Sequence, residues 1–100
     1  MYFFSIHGVP GPNNPDSVTV GGAFINCYIN HATLDLAESI ARKSIEEAGW
    51  QIVAIEESKI VNSSSFEEDS DGMKYYEQAL VDKEVFAYFT YPGDGPENTP

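Results

Sequence analysis

The chain has 100 residues, 42% of them hydrophobic, which suffices for one folded domain with a modest core and argues against disorder. Sixteen acidic and five basic residues give a net charge of −11. Phosphate backbones and anionic membranes repel such a chain, so we expect no binding to nucleic acid or membranes. The single cysteine excludes an internal disulfide and favours a reducing, cytoplasmic location.

The first half of the chain reads as strand, strand, helix. Alternation predicts strands over residues 2–7 and 22–30, separated by a loop rich in proline, glycine and asparagine. A helical period follows over residues 34–48, where Thr33 is suited to cap the first turn. Gly49 is suited to end this helix because glycine readily adopts the left-handed conformation.

The second half reads as strand, helix, strand. Residues 50–61 are predicted to form a strand that opens with the apolar run 50–55, and residues 62–72 form a polar, acidic connection. A second helix follows with the apolar stripe Met73, Tyr76, Ala79 and Leu80. An aromatic-rich strand over residues 84–91 ends at Pro92. We therefore predict one α+β domain over residues 1–91 and a disordered tail over residues 92–100.

This order of elements predicts a two-layer sandwich, in which both helices cover one face of a four-stranded, mostly antiparallel sheet. The architecture resembles the ferredoxin-like class of two-layer folds. It departs from that class in the order of its elements, which is usually strand, helix, strand, strand, helix, strand. The strand order therefore stays open, and the resemblance implies no function.

Residues with catalytic or metal-binding potential are few. The sequence contains no phosphate-binding glycine loop, no paired-cysteine zinc pattern and no nucleophile elbow. The acidic segment 67–72 resembles part of a calcium loop, but aligning Gly72 with the loop glycine places Gln78 where a bidentate glutamate is needed. We expect no catalytic residue, no metal and no cofactor.

One face of the predicted sheet is rich in aromatic residues. If Tyr2, Phe4 and Ile6 face the helices, alternate residues must face away from them. The predicted ligand or dimer face then consists of six residues: His7, Phe24, Asn26, Tyr28, Phe86 and Tyr88. Apolar patches of that size are seldom left exposed on a monomer, so a second copy, the long loop 8–22 or a ligand should cover them.

These observations favour a non-enzymatic interaction or ligand-binding module that forms a homodimer through the open face. Two other hypotheses stay open. Residues 51–100 carry eleven acidic and three basic residues, so the protein could be an immunity-type inhibitor of a basic partner. A pocket around His7 could instead bind a small molecule, with His7 as general acid or base of a small enzyme.

Overall fold

The computed structural model describes residues 1–12 and 14–93, and it confirms an α+β protein with a four-stranded antiparallel sheet and two helices. The elements are β1 (Tyr2–Pro10), β2 (Val20–Ile29), α1 (Leu34–Glu47), β3 (Trp50–Ile60), α2 (Asp71–Asp82) and β4 (Glu84–Pro92). Short 3-10 helices lie at Pro15–Val18 and Ser63–Ser65. From residue 94 onward, the predicted disordered tail lies outside the described residues. In the described ranges, no helix is long and apolar enough to cross a membrane.

The strand order is β3-β1-β2-β4, with every neighbouring pair antiparallel. β1 and β2 therefore form the centre of the sheet, and β3 and β4 are its edges. The β1–β2 register is regular from Tyr2 opposite Ile29 to Gly8 opposite Ala23. The order differs from that of ferredoxin-like folds, so the predicted resemblance does not extend to the topology.

A side chain caps the start of each helix, and a residue with positive φ lies just beyond each helix end. The Thr33 hydroxyl accepts a hydrogen bond from the Leu36 amide at the start of α1, and Gly49 has a φ of 95° just beyond its end. The Ser70 hydroxyl accepts a hydrogen bond from the Met73 amide at the start of α2. The predicted capping roles of Thr33 and Gly49 are thus confirmed.

The two helices lie on opposite faces of the sheet. On one side, which we call the α1 face, the buried α1 residues pack with Phe4, Ile6, Ile25 and Cys27. On the other side, the α2 face, Ala79 packs with Phe3 and Tyr28. Phe3 and Phe4 are neighbours in β1, so their side chains point to opposite sides of the sheet. The helices that pack against them therefore lie on different faces. The prediction that both helices cover one face is therefore wrong.

Large apolar side chains on the α2 face explain why α2 packs there. Its end nearest α2 carries large apolar side chains, which the sequence pattern had left without a cover. The rings of Phe66, Tyr75 and Tyr76 pack against this end together with Met1 and Val85. A second helix on the α1 face would have left these side chains exposed to water, so burial favours α2 on the opposite side.

Cys27 lies in the core of the α1 face with no exposed surface, and burial raises the pKa of its thiol from 9.0 to about 12. Since the thiolate is the reactive form, we expect Cys27 to resist iodoacetamide at pH 8 in the native state and to react in urea. The neutral thiol contributes its stability fully below pH 9, and the contribution is lost as the pH rises through about 12.

Mass spectrometry of the alkylated chain measures this protection, and free glutathione in the same tube serves as the reactive control. Rapid modification of native Cys27 would contradict the buried position. In urea unfolding above pH 9, a Cys27→Ala variant should lose less stability with rising pH than the wild type does.

Candidate functional site: an aromatic patch beside the β4 edge

The six residues of the predicted ligand or dimer face do not share one side of the sheet. Phe86 lies opposite Cys27 and Tyr88 lies opposite Ile25, so both belong to the α1 face. Phe86 packs against the core of that face, and the Tyr88 ring lies 5.7 Å from the Trp50 ring. The predicted outward orientation of these two residues is wrong, because pairing with β2 sets the orientation of β4 side chains.

Tyr28 shares the α2 face with Phe24, so the prediction that it faces away from both helices is wrong. Only 3% of its surface is exposed, and the rings of Phe3, Phe66 and Tyr75 lie between 5.2 and 5.9 Å from its own ring. Burial, followed by the nearby Tyr75 and Cys27, raises the pKa of the Tyr28 phenol. Tyr28 is therefore part of the core under α2 and is closed to a ligand.

The other end of the α2 face lies beyond α2. Here His7 on β1 lies opposite Phe24 on β2, and Phe24 lies opposite Phe89 on β4, so the three side chains form a row across the sheet. The His7 and Phe24 rings stack with centroids 4.7 Å apart. Phe24 is 44% exposed and Phe89 is 49% exposed. We call His7, Phe24, Phe89 and Tyr91 the aromatic patch.

Tyr91 joins the aromatic patch because of a glycine. It lies opposite Gly22, where any Cβ would collide with the Tyr91 ring, so the missing side chain leaves room for the phenol to extend over β2. Its hydroxyl oxygen lies 2.6 Å from Nε2 of His7. Tyr91 is not among the six residues of the predicted face. The glycine pair Gly21-Gly22 within β2 was the signal in the sequence, since it marks a strand that another group approaches closely.

The polar groups of the aromatic patch are the His7 imidazole and the Tyr91 phenol. His7 hydrogen bonds with a phenol rather than with a carboxylate that would orient it as a base. Asn26, half-buried on the same face, follows Phe24 in the alternation of β2. In the part of the chain that the structure describes, no cluster of three or more His, Cys, Asp or Glu side chains could hold a metal ion.

The two edges of the sheet differ in the features that block pairing with another strand. β3 carries Glu56, Glu57 and Lys59, and its register with β1 shifts twice. Charges and bulges of this kind keep an edge strand from pairing with other chains. β4 carries no charge from residue 85 to residue 92, and its register with β2 is regular from Glu84 to Tyr91. From residue 85 to residue 91 the β4 edge therefore lacks such protection.

A separate pocket of about 490 Å³ lies between the loop after β1 and the end of α1. The Gly11 amide donates to the Gly49 carbonyl oxygen at 2.8 Å, and the Asn14 amide side chain donates to the same oxygen at 3.2 Å. These bonds hold the loop against the α1–β3 turn. The pocket shares no lining residue with the aromatic patch, so it forms a distinct site.

We expect Tyr91→Phe to lower the free energy of unfolding by about 1 kcal/mol, because it removes the partly buried hydrogen bond to His7. The same substitution in a His7→Ala background should cost clearly less. Urea unfolding of the four proteins of this double-mutant cycle gives the coupling energy. Equal costs in the two backgrounds would show that the bond contributes nothing to stability.

The function of this protein has to be inferred from the geometry of the aromatic patch and of the β4 edge. Comparison with protein-family models, curated proteins and solved structures finds no match to this chain. At this end of the sheet the described residues expose a row of aromatic side chains next to a strand without charged residues from 85 to 92.

Proposed function

We propose that this protein is a non-enzymatic interaction module that forms a homodimer through the aromatic patch and the adjoining β4 edge. The observation that carries the proposal is the exposure of Phe24 and Phe89 side by side on one end of the α2 face. Large aromatic side chains supply most of the binding free energy in protein interfaces when they are desolvated. Their burial in a dimer removes this apolar surface from water.

The distribution of charge supports a partner with an uncharged contact surface. The β1, β2 and β4 residues around the aromatic patch carry no carboxylate or ammonium group, although the whole chain has a net charge of −11. Two copies can therefore approach at this end without placing like charges in direct contact. The acidic residues elsewhere keep the assembled protein soluble.

A basic protein is the second candidate partner, because acidic side chains at residues 56, 57 and 67–69 are exposed. The two candidates respond to salt in opposite ways. Screening weakens attraction between an acidic and a basic protein, whereas it strengthens association between two acidic copies by reducing their mutual repulsion. A dimer that tightens with rising salt concentration supports self-association.

We expect Phe89→Glu to convert a wild-type dimer into a monomer, because it places a charge opposite the partner's uncharged surface and removes an exposed aromatic side chain. The fold should persist, since half of the Phe89 surface already contacts water. Sedimentation equilibrium measures the mass, and circular dichroism reports the fold.

Ile60→Glu is the matched control. Ile60 is 72% exposed on the opposite edge of the sheet, so the same change of charge should leave the dimer intact. A wild-type protein that stays monomeric at high micromolar concentration would contradict the proposed homodimer. Equal dissociation by both substitutions would indicate a charge effect unrelated to the aromatic patch.

A further inference from the structure

We propose that two copies join by pairing their β4 edges antiparallel about a twofold axis at Tyr88, which creates one continuous eight-stranded sheet. This inference rests on the proposed homodimer and specifies its contact. It follows from the direction of the free backbone groups on β4, from the side chains that would meet across the axis, and from the placement of α2.

The free backbone groups of β4 follow from its register. The Asn30 amide donates to the Lys83 carbonyl oxygen at 2.7 Å, which identifies Asn30 and Lys83 as a hydrogen-bonded antiparallel pair. Such pairs alternate with pairs that direct their N–H and C=O groups away from each other. In the regular register between Glu84 and Tyr91, the groups of Phe86, Tyr88 and Thr90 therefore point away from β2.

These outward groups match a second copy of themselves. With the axis at Tyr88, each Phe86 lies opposite the Thr90 of the other copy, and the two Tyr88 residues lie opposite each other. Each of these three pairs exchanges two hydrogen bonds. On the α2 face, the exposed Phe89 then lies opposite Ala87, a small residue that leaves room for the ring.

The placement of α2 favours the same arrangement. α2 precedes β4 and packs over its Val85 end, whereas the aromatic patch lies at its Tyr91 end. Antiparallel pairing brings the Val85 end of one copy beside the Tyr91 end of the other. The second copy's α2, which exposes Leu80 and Val81, then borders the aromatic patch. The unprotected edge and the uncovered aromatic patch are thus covered by one partner.

Thr90→Pro tests the edge pairing. Proline lacks the N–H group, and at residue 90 that group points outward, so the bonds to β2 remain. We expect Thr90→Pro to be monomeric, or to dimerise at least tenfold more weakly, with an unchanged circular dichroism spectrum. Thr90→Val keeps the N–H group and the side-chain size, and it should dimerise like the wild type. Sedimentation equilibrium measures both.

Tyr88→Cys provides a test that does not depend on proline. Residues facing each other in a hydrogen-bonded antiparallel pair have Cα atoms about 5.5 Å apart, within the range for a disulfide. Mild oxidation should link two copies of Tyr88→Cys through residue 88, while buried Cys27 does not react. Ile60→Cys, exposed on the opposite edge, should give no comparable link.

The outcomes separate this inference from the proposed function. A Thr90→Pro dimer as tight as the wild type, or absence of the residue 88 link in a dimeric protein, would overturn the edge pairing. If either result is found and Phe89→Glu still dissociates the dimer, the edge pairing is wrong but the homodimer through the aromatic patch is supported. A monomeric wild type would overturn both. A weakened Thr90→Pro dimer together with the residue 88 link supports the continuous sheet.

Discussion

The rest of the structure depends on one constraint: the two central strands carry large apolar side chains on both of their faces. Phe3 and Phe4 are neighbours in β1, and Cys27 and Tyr28 are neighbours in β2, yet all four are buried. Alternation sends each pair to opposite sides, so both sides of the sheet must be covered. Burial of each such side chain contributes about 1.5 to 3 kcal/mol, which is why one helix packs on each face.

Helix length then determines where the protein exposes aromatic surface. α2 has 12 residues and is about 18 Å long, whereas the ten residues of β2 extend over about 33 Å. α2 therefore covers the end of its face near Tyr28 and leaves the end near Phe24 open. Gly22 permits Tyr91 to lie across this open end and bond to His7. The aromatic patch is thus a consequence of a short helix on a long sheet.

The contrast between the two edges connects this geometry with assembly. β3 has charged side chains and two register shifts, which are the features that usually block edge-to-edge pairing. β4 carries no charge between residues 85 and 92, and its register with β2 shifts only at its end, between Tyr91 and Pro92. This contrast supports the proposed self-association, because the chain has a net charge of −11 and yet exposes aromatic residues beside one edge without charged groups.

The sequence by itself determined the class and order of the elements, since periodicity and capping are local properties. Thr33, Gly49 and the alternation in β2 were sufficient to place α1 between two strands. The sequence also predicted that His7 and Phe24 lie on the same side of the sheet, and the structure stacks their rings. These features depend on residues close together in the chain, or on alternation within one strand.

Tertiary structure alone decided which face each helix covers and how β4 is oriented. Residues 85–89 are apolar or aromatic in both phases of alternation, so the local pattern offered no preference between the two phases. Pairing with β2 made the choice, because Tyr28 lies opposite Val85 and Ile25 opposite Tyr88. The same pairing brought Tyr91 to His7 across 84 residues of chain. Contacts between distant segments leave no trace in local periodicity, because the register that creates them is set only when the whole sheet assembles.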